Sequence, residues 1–250
     1  MAIFDSIETS NYLNHISLDC VIFGFHENEL KVLTLHYKAT QTYALPGGFL
    51  MTDETLEDAA KRVLKERTGL NDIFLKQFGV FSSPNRSKLN LAVKDIKDNL
   101  PDVNLTFFDQ RFIPVGFYAL VEFTKVHPQP DALSDSCDWM NISNHLNLMM
   151  DHNQIANEAL EAMRLQLNYQ PIGYNLLPAR FTMPELQKLY ETILGKELDR
   201  RNFQRKILSY RILNKLEERR TGGAYKSPFL YEFNLENYQK ALNNGLTGGW

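Results

Sequence analysis

The sequence of 250 residues is poor in cysteine and has no long apolar run. Its two cysteines, Cys20 and Cys137, exclude a disulfide framework and the paired-cysteine spacing of zinc sites. No apolar run approaches the roughly 18 residues that cross a bilayer. The first residues also lack the basic start and apolar stretch of a secretion signal. We therefore expect a cytoplasmic protein without a membrane segment.

Charge of both signs is present, but it is unevenly distributed. The net charge is −3, yet residues 180–226 hold 12 lysines and arginines against 6 acidic residues, and the remainder holds 15 against 24. Such asymmetry indicates an attached nucleic-acid-binding or anion-binding module. A helical surface that is basic without binding an anion is the alternative.

Strand and helix patterns mix through the first 165 residues. Apolar and β-branched runs at 18–26 and 30–38 flank a short polar turn and predict a hairpin. Apolar residues then recur at helical spacing from Leu56 until Gly69 ends the helix. Further elements are predicted at 74–83, 112–126, 137–143 and 151–167. This mixture predicts an α+β layer fold.

The composition changes after this region. Residues 168–181 hold two prolines and a glycine without periodicity, which is typical of a linker. Beyond it, Thr182 and Glu185 have the spacing of a capping box, and Asp199 precedes a second helix. Strand-like runs then flank a Gly-Gly turn, so the region predicts a winged helix-turn-helix. The predicted domains are 1–167 and 182–250, joined by the linker 168–181.

The segment 47–70, GGFLMTDETLEDAAKRVLKERTGL, resembles the signature of the Nudix family. Seven framework positions of that signature match in register: Gly48, Glu54, Arg62, Leu64, Glu66, Gly69 and Leu70. The resemblance implies an α/β/α sandwich. It also implies hydrolysis of nucleoside diphosphate derivatives, assisted by magnesium or manganese.

Two of the three metal-binding glutamates of that signature are absent. The three positions hold Val63, Glu66 and Arg67, which share one face of the predicted helix. Magnesium requires oxygen ligands, and Arg67 would repel it by several kcal/mol, on the order expected for charges a few ångströms apart. We expect no metal site, no cofactor and no catalytic residue.

Three interpretations of this segment remain open. Glu66 and Arg62 form only a helix salt bridge, or the arginines bind an anionic or polyhydroxylated molecule, or hydrolysis is retained. Polar residues of the first strands would line such a pocket, because the family binds its ligand beside the Gly-Gly turn. The candidate effector-binding residues are Asp19, His36, Tyr37, Gly47, Gly48, Arg62, Glu66 and Arg67.

A basic face is predicted on the helix that follows Asp199. Phe203, Ile207 and Tyr210 recur at helical spacing and would face the core, which turns the polar residues outward. Arginine pairs with guanine edges and glutamine with adenine edges in the major groove, while other basic residues contact phosphates. The candidate DNA-binding residues are Arg200, Arg201, Asn202, Gln204, Arg205, Lys206, Arg211, Arg219, Arg220 and Lys226.

The C-terminal sequence narrows the resemblance. Residues 172–208, placed after a Nudix-like domain, resemble the Nudix-related transcriptional regulators, and most closely the arabinose-responsive branch of Bacteroidetes. That resemblance implies a homodimer, a palindromic double-stranded operator and a small-molecule effector, a sugar or a nucleotide derivative. Residues 85–111 replace a short connection in those relatives, so the effector itself does not carry over.

Two other functions remain open. The first is a Nudix hydrolase that acts on a nucleoside diphosphate derivative such as ADP-ribose. The second is an interaction module for a protein partner.

Overall fold

The computed structural model describes residues 9–37, 41–71, 73–86, 107, 110–131, 134–144, 147–220 and 227–246. The chain divides into two compact units, one of Met1–Phe23 with Lys31–Ala159 and one of Gly24–Leu30 with Leu160–Trp250. Most of the segment 85–111 lies outside the described residues. No helix of the described ranges is both long and apolar enough to cross a membrane.

The first unit is built on a seven-stranded sheet. Its strands are β1 (Tyr12–His26), β2 (Glu29–Tyr37), β3 (Thr42–Ala44), β4 (Gly47–Met51), β5 (Phe74–Val80), β6 (Ile113–Val121) and β7 (Ser136–Asn141). The main strand order is β3-β2-β1-β6-β5, with β4 paired to β1 and β7 paired to β2. The strand predicted at 112–126 is shorter, because the chain turns into a 3-10 helix at Phe123–Lys125.

Helix α1 (Leu56–Thr68) covers one face of this sheet. Its first turn is capped by Thr55, whose side chain accepts a hydrogen bond from the Asp58 N–H, and Gly69 ends it with a φ of 75°. The buried side of α1 packs on alternate residues of β1 and β2. The shared core includes Leu18, Cys20, Leu33, Leu35, Ala59, Ala60, Val63 and Leu64. Helix α2 (His152–Leu167) follows the sheet.

The second unit has the elements of a winged helix-turn-helix. They are the strand β8 (Phe181–Thr182), helices α3 (Met183–Leu194) and α4 (Arg200–Ser209), the strands β9 (Leu213–Arg219) and β10 (Phe229–Phe233), and helix α5 (Leu235–Asn244). The sheet order is β8-β10-β9. The predicted capping box forms, since the Glu185 N–H donates to the Thr182 hydroxyl and the Thr182 N–H donates to the Glu185 carboxylate.

Residues 168–181, predicted as a linker, are packed into the second unit. Ile172, Leu176 and Leu177 are buried there. The Tyr238 hydroxyl of α5 donates a hydrogen bond to the carbonyl of Pro171 at 2.9 Å. Prolines and a glycine interrupt the periodicity of this segment without preventing its apolar side chains from joining the core.

Candidate functional site

The two glycines at the start of the signature lie where backbones and side chains come very close. In the pairing of β1 with β4, Gly48 lies opposite Leu18 and Gly47 lies opposite Asp19. A Cβ atom on Gly47 would lie 2.7 Å from the Leu18 carbonyl oxygen, and one on Gly48 would lie 2.8 Å from Cγ2 of Val63. Packing alone therefore requires glycine at both positions, independently of any contact with a ligand.

Arg62 is held mainly by Glu54. Its Nη2 donates to Glu54 Oε1 at 2.6 Å and to the Phe49 carbonyl at 2.9 Å, and its Nε donates to Glu54 Oε2 at 3.1 Å. The helix salt bridge to Glu66 is longer, at 3.8 Å. Burial opposes ionisation of Glu54, but the hydrogen bonds from Arg62 and from the Met51 N–H outweigh it and lower the pKa of Glu54. This pair joins the turn after β4 to the middle of α1.

The metal-binding positions of the signature do not fit a magnesium ion. Val63 is 1% exposed and belongs to the apolar core, so a ligand there would have to replace core packing. The Arg67 side chain is 11% exposed, and its Nη2 lies 3.4 Å from the carboxylate of Glu66. Among the described residues, no three His, Cys, Asp or Glu side chains gather as a metal site. One exposed carboxylate beside a guanidinium is not a magnesium site.

Arg67 lies against the segment that precedes β7. Its Nη1 donates to the Gln129 carbonyl at 3.3 Å, while its Nε is buried with no hydrogen-bond partner within the described ranges. Tyr37 shares this electrostatic environment. Burial raises the pKa of the Tyr37 phenol, the Asp131 carboxylate raises it further, and Arg67 opposes both. Tyr37 therefore remains a neutral hydrogen-bond donor across the physiological range.

Asp19 is part of a buried cluster on the opposite face of the sheet. Arg86 donates from Nη2 to the Asp19 carboxylate and from Nε to Asp151 at 3.1 Å. The Leu45 N–H donates to Nδ1 of His152 at 2.9 Å, and Nη2 of Arg86 lies 3.2 Å from Nε2 of the same ring. Burial lowers the pKa of His152, with Asp19 opposing this and Arg86 adding to it. Asp19 is thus an ion-pair partner of Arg86 and is 6% exposed.

The predicted effector residues therefore fall into two groups. Side chains alternate between the faces of a strand, so Asp19 and His36 point away from the face that α1 covers, whereas Tyr37 points toward it. The ring of His36 lies 4.7 Å from that of Tyr43, its partner on β3. Arg62, Glu66 and Arg67 belong to the α1 side. That these residues contact an effector stays a prediction.

Sequence reasoning missed Arg86, Asp151 and His152. Arg86 lies at the start of the segment 85–111, and no motif in the sequence distinguishes His152. No periodic spacing relates Arg86 to Asp19, which lies 67 residues earlier. A buried charge must be paired, which would point to a partner for Asp19. The burial of Asp19 is known only once the fold is known.

Helix α4 presents the predicted basic face. Asp199 caps the helix by accepting from the Asn202 N–H, and Phe203 and Ile207 are buried at 2% and 0% exposure. The predicted DNA-contacting side chains are exposed or half-buried: Arg200, Arg201, Asn202, Gln204, Arg205 and Lys206. Arg205 donates to the Asn202 side chain at 2.9 Å. The third residue of the predicted buried stripe, Tyr210, is half-buried.

The two arginines at the described end of the wing have partners within the protein. Arg220 donates to both carboxylate oxygens of Glu185 at 2.7 Å. Arg219 donates to the Ser227 carbonyl at 2.9 Å and its guanidinium lies 3.8 Å from the centre of the Phe229 ring. Arg211 is exposed just after α4. Lys226 lies outside the described residues.

Two family models match the chain. Residues 13–162 match the Nudix domain, and residues 173–233 match the NrtR DNA-binding winged helix domain. The expected α+β fold, a Nudix-like α/β/α sandwich followed by a winged helix-turn-helix, is confirmed. The crystal structure of Shewanella oneidensis NrtR with a 27mer DNA has the same fold, with a TM-score of 0.75 at 22% identity. That similarity covers 95% of this chain and 100% of the other.

Two curated proteins are similar in sequence. The ADPR responsive transcriptional repressor NtrR of Acinetobacter baylyi is 26% identical over 230 residues, which cover 89% of this chain and 83% of that protein. The ADP-ribose pyrophosphatase of Methanocaldococcus jannaschii is 41% identical over 66 residues, 25% of this chain and 39% of that enzyme. These matches do not support the expected arabinose-responsive branch.

Proposed function

The chain belongs to the Nudix family and carries a winged helix of the NrtR type, and on that premise we propose that it is a DNA-binding transcriptional regulator. Its Nudix domain senses ADP-ribose or a related nucleoside diphosphate sugar and does not hydrolyse it. The proposal includes a homodimer that works in the cytoplasm on a palindromic operator. The similarity to the Acinetobacter repressor covers most of the chain and supports the effector class.

One contrast between the two domains carries this proposal. The signature helix has a core valine and a guanidinium at two metal positions, whereas α4 keeps an exposed basic face above a buried apolar stripe. Hydrolysis depends on metal ligands, and operator recognition depends on that basic face. The chain has the residues for the second role and lacks two of the three metal ligands for the first.

The proposal assigns separate tasks to the basic residues. Arg201, Gln204 and Arg205 lie outward on α4, where the first turns of a recognition helix meet base edges. Arg211, Arg219 and Arg220 contact phosphates around the wing, together with Lys226. In the sensor, Arg62 and Arg67 supply positive charge near an effector diphosphate, and Tyr37, on the same side of the sheet, supplies a donor.

DNA binding by the full chain, followed by fluorescence anisotropy, tests the proposal. A duplex selected from a random pool is expected to bind at least 1,000-fold more tightly than unrelated DNA, on the order seen for specific regulators. Affinity should fall steeply with salt because phosphate contacts release counterions. ADP-ribose is expected to change this affinity equally with magnesium or with EDTA. Binding without sequence preference would contradict the regulator function.

A second candidate function is hydrolysis of an ADP-ribose-like compound. The local similarity to the Methanocaldococcus pyrophosphatase favours it, as do the retained Glu54 and Glu66. Chromatographic detection of AMP from ADP-ribose, with and without magnesium, distinguishes the two. Product formation that requires magnesium and is lost in Glu66→Gln would establish the hydrolase. Unchanged ADP-ribose in the presence of magnesium, together with ADP-ribose-sensitive DNA binding, supports the sensor.

A further inference from the structure

One large apolar side chain is exposed on the basic face of α4. Leu208 is 39% exposed, although Phe203 and Ile207 of the same helix are buried. It follows Arg201 by seven residues and Arg205 by three, so the three side chains share one side of the helix. The face that carries the predicted base contacts is therefore polar in its first turns and apolar near its end.

From this placement we propose that Leu208 determines specificity by contacting the 5-methyl group of a thymine in each operator half-site. The proposal rests on the proposed DNA-binding function. Thymine alone among the four bases presents a methyl group in the major groove, and apolar side chains recognise it by van der Waals contact. An exposed leucine gains by covering that methyl, because both groups leave water.

Charge complementarity selects DNA as the occupant of this face. Arg200, Arg201 and Arg205 are exposed around the same helix, and the Arg205 guanidinium is oriented by the Asn202 side chain. Such a surface attracts a polyanion and does not favour a second basic surface of the same chain. A leucine at the end of this row of cationic side chains is brought against the duplex by its neighbours.

The position of Leu208 along α4 predicts where the recognised thymine lies in the operator. Three residues separate Leu208 from Arg205, and they advance an α-helix by about 4.5 Å. Base pairs of DNA are spaced by about 3.4 Å along the duplex. The thymine recognised by Leu208 is therefore within about two base pairs of the base that Arg205 contacts.

Deoxyuridine scanning tests this assignment because deoxyuridine differs from thymidine only by the missing methyl. The full chain first selects its operator from random duplexes, and each thymine is then replaced singly. Binding of the wild type should weaken about fourfold at one position per half-site, the effect of exposing one methyl group. Leu208→Ala should weaken binding to the unmodified operator by a similar factor and be insensitive to deoxyuridine at that position.

Leu235→Ala serves as the matched control, since Leu235 is also exposed, at 55%, but lies at the start of α5. It should keep the wild-type affinity and the wild-type response to deoxyuridine. Three results would overturn the assignment of Leu208: a selected site without thymine, insensitivity of the wild type at every thymine, or an unchanged pattern in Leu208→Ala. If no sequence is selected at all, the proposed DNA-binding function fails, and this assignment fails with it.

Discussion

Arg62 and Glu54 form a two-pronged ion pair, with Nη2 to Oε1 at 2.6 Å and Nε to Oε2 at 3.1 Å. The Glu54 side chain is 13% exposed and that of Arg62 is 25% exposed. Glu54 also accepts a hydrogen bond from the Met51 N–H at 2.8 Å. The pair therefore fixes the turn between β4 and α1, and it uses an acidic position of the signature for structure.

Glu54→Gln is expected to lower the free energy of unfolding by about 1–3 kcal/mol near neutral pH. The pKa of Glu54 is lowered in the folded state because the hydrogen bonds from Arg62 and Met51 outweigh burial. The stabilisation is therefore present above the unfolded pKa of about 4.3 and is lost as the pH falls through the lower folded pKa. Urea unfolding at several pH values measures this. The exposed Glu57→Gln is the control, and an equal loss there would contradict the specific role of Glu54.

Arg86→Met is expected to destabilise the first unit by about 3–5 kcal/mol, because the buried Asp19 and the half-buried Asp151 would lose their counterion. Denaturant unfolding of the variant and of Arg86→Met/Asp19→Asn measures the effect. The double variant should recover part of the loss, since one uncompensated charge is removed. Arg111→Met, at an exposed arginine, should cost far less. Additive losses in the double variant would argue against the ion-pair cluster.

Gly48→Ala is expected to destabilise the protein by about 1–3 kcal/mol through overpacking. The added Cβ would lie 2.8 Å from Cγ2 of Val63, which is buried in the core under α1. Val63→Ala leaves a cavity by itself but makes room for the new methyl. Thermal unfolding of the two single variants and the double variant checks this. The double variant should lose less stability than the two single variants lose together. Strict additivity would show that the two positions do not meet.

Arg201→Ala and Arg220→Ala are expected to change DNA binding in different ways. Loss of Arg201 should weaken the selected operator by about 1–3 kcal/mol and leave unrelated DNA little affected, as for a base contact. Loss of Arg220 should weaken all duplexes alike and reduce the salt slope by about one, as for a phosphate contact. Anisotropy titrations at several salt concentrations separate the two. The same loss at both sites would contradict these assignments.

Glu185→Gln is expected to strengthen binding to every duplex. The Glu185 carboxylate accepts a hydrogen bond from Arg220 at 2.7 Å. Burial opposes the ionisation of Glu185, but the hydrogen bonds from Thr182 and Arg220 outweigh it and lower the pKa of Glu185. Glutamine preserves the capping box but releases Arg220 from its carboxylate partner. The salt slope should therefore increase. Glu236→Gln, in an exposed ion pair of α5, should leave it unchanged. A weaker complex of Glu185→Gln would contradict this view.

Much of the secondary structure follows from local signals. The caps at Thr55, Thr182 and Asp199, and the glycine that ends α1, each depend on hydrogen bonds between residues at most four apart. The sequence therefore carries them directly. By contrast, β8 is a strand of two residues whose existence depends on pairing with β10. Helix α5 was not predicted either, and Tyr238 is its one buried side chain among the described residues.

The sequence by itself determined the missing metal ligands at positions 63 and 67 and the basic face of α4, because both are matters of residue type and helical spacing. Only the tertiary structure decided which charges meet. It pairs Arg86 with Asp19 across 67 residues and Arg62 with Glu54 more closely than with Glu66. Ion pairing depends on the distance between the charges and on their burial, and neither follows from the spacing of residues in the sequence.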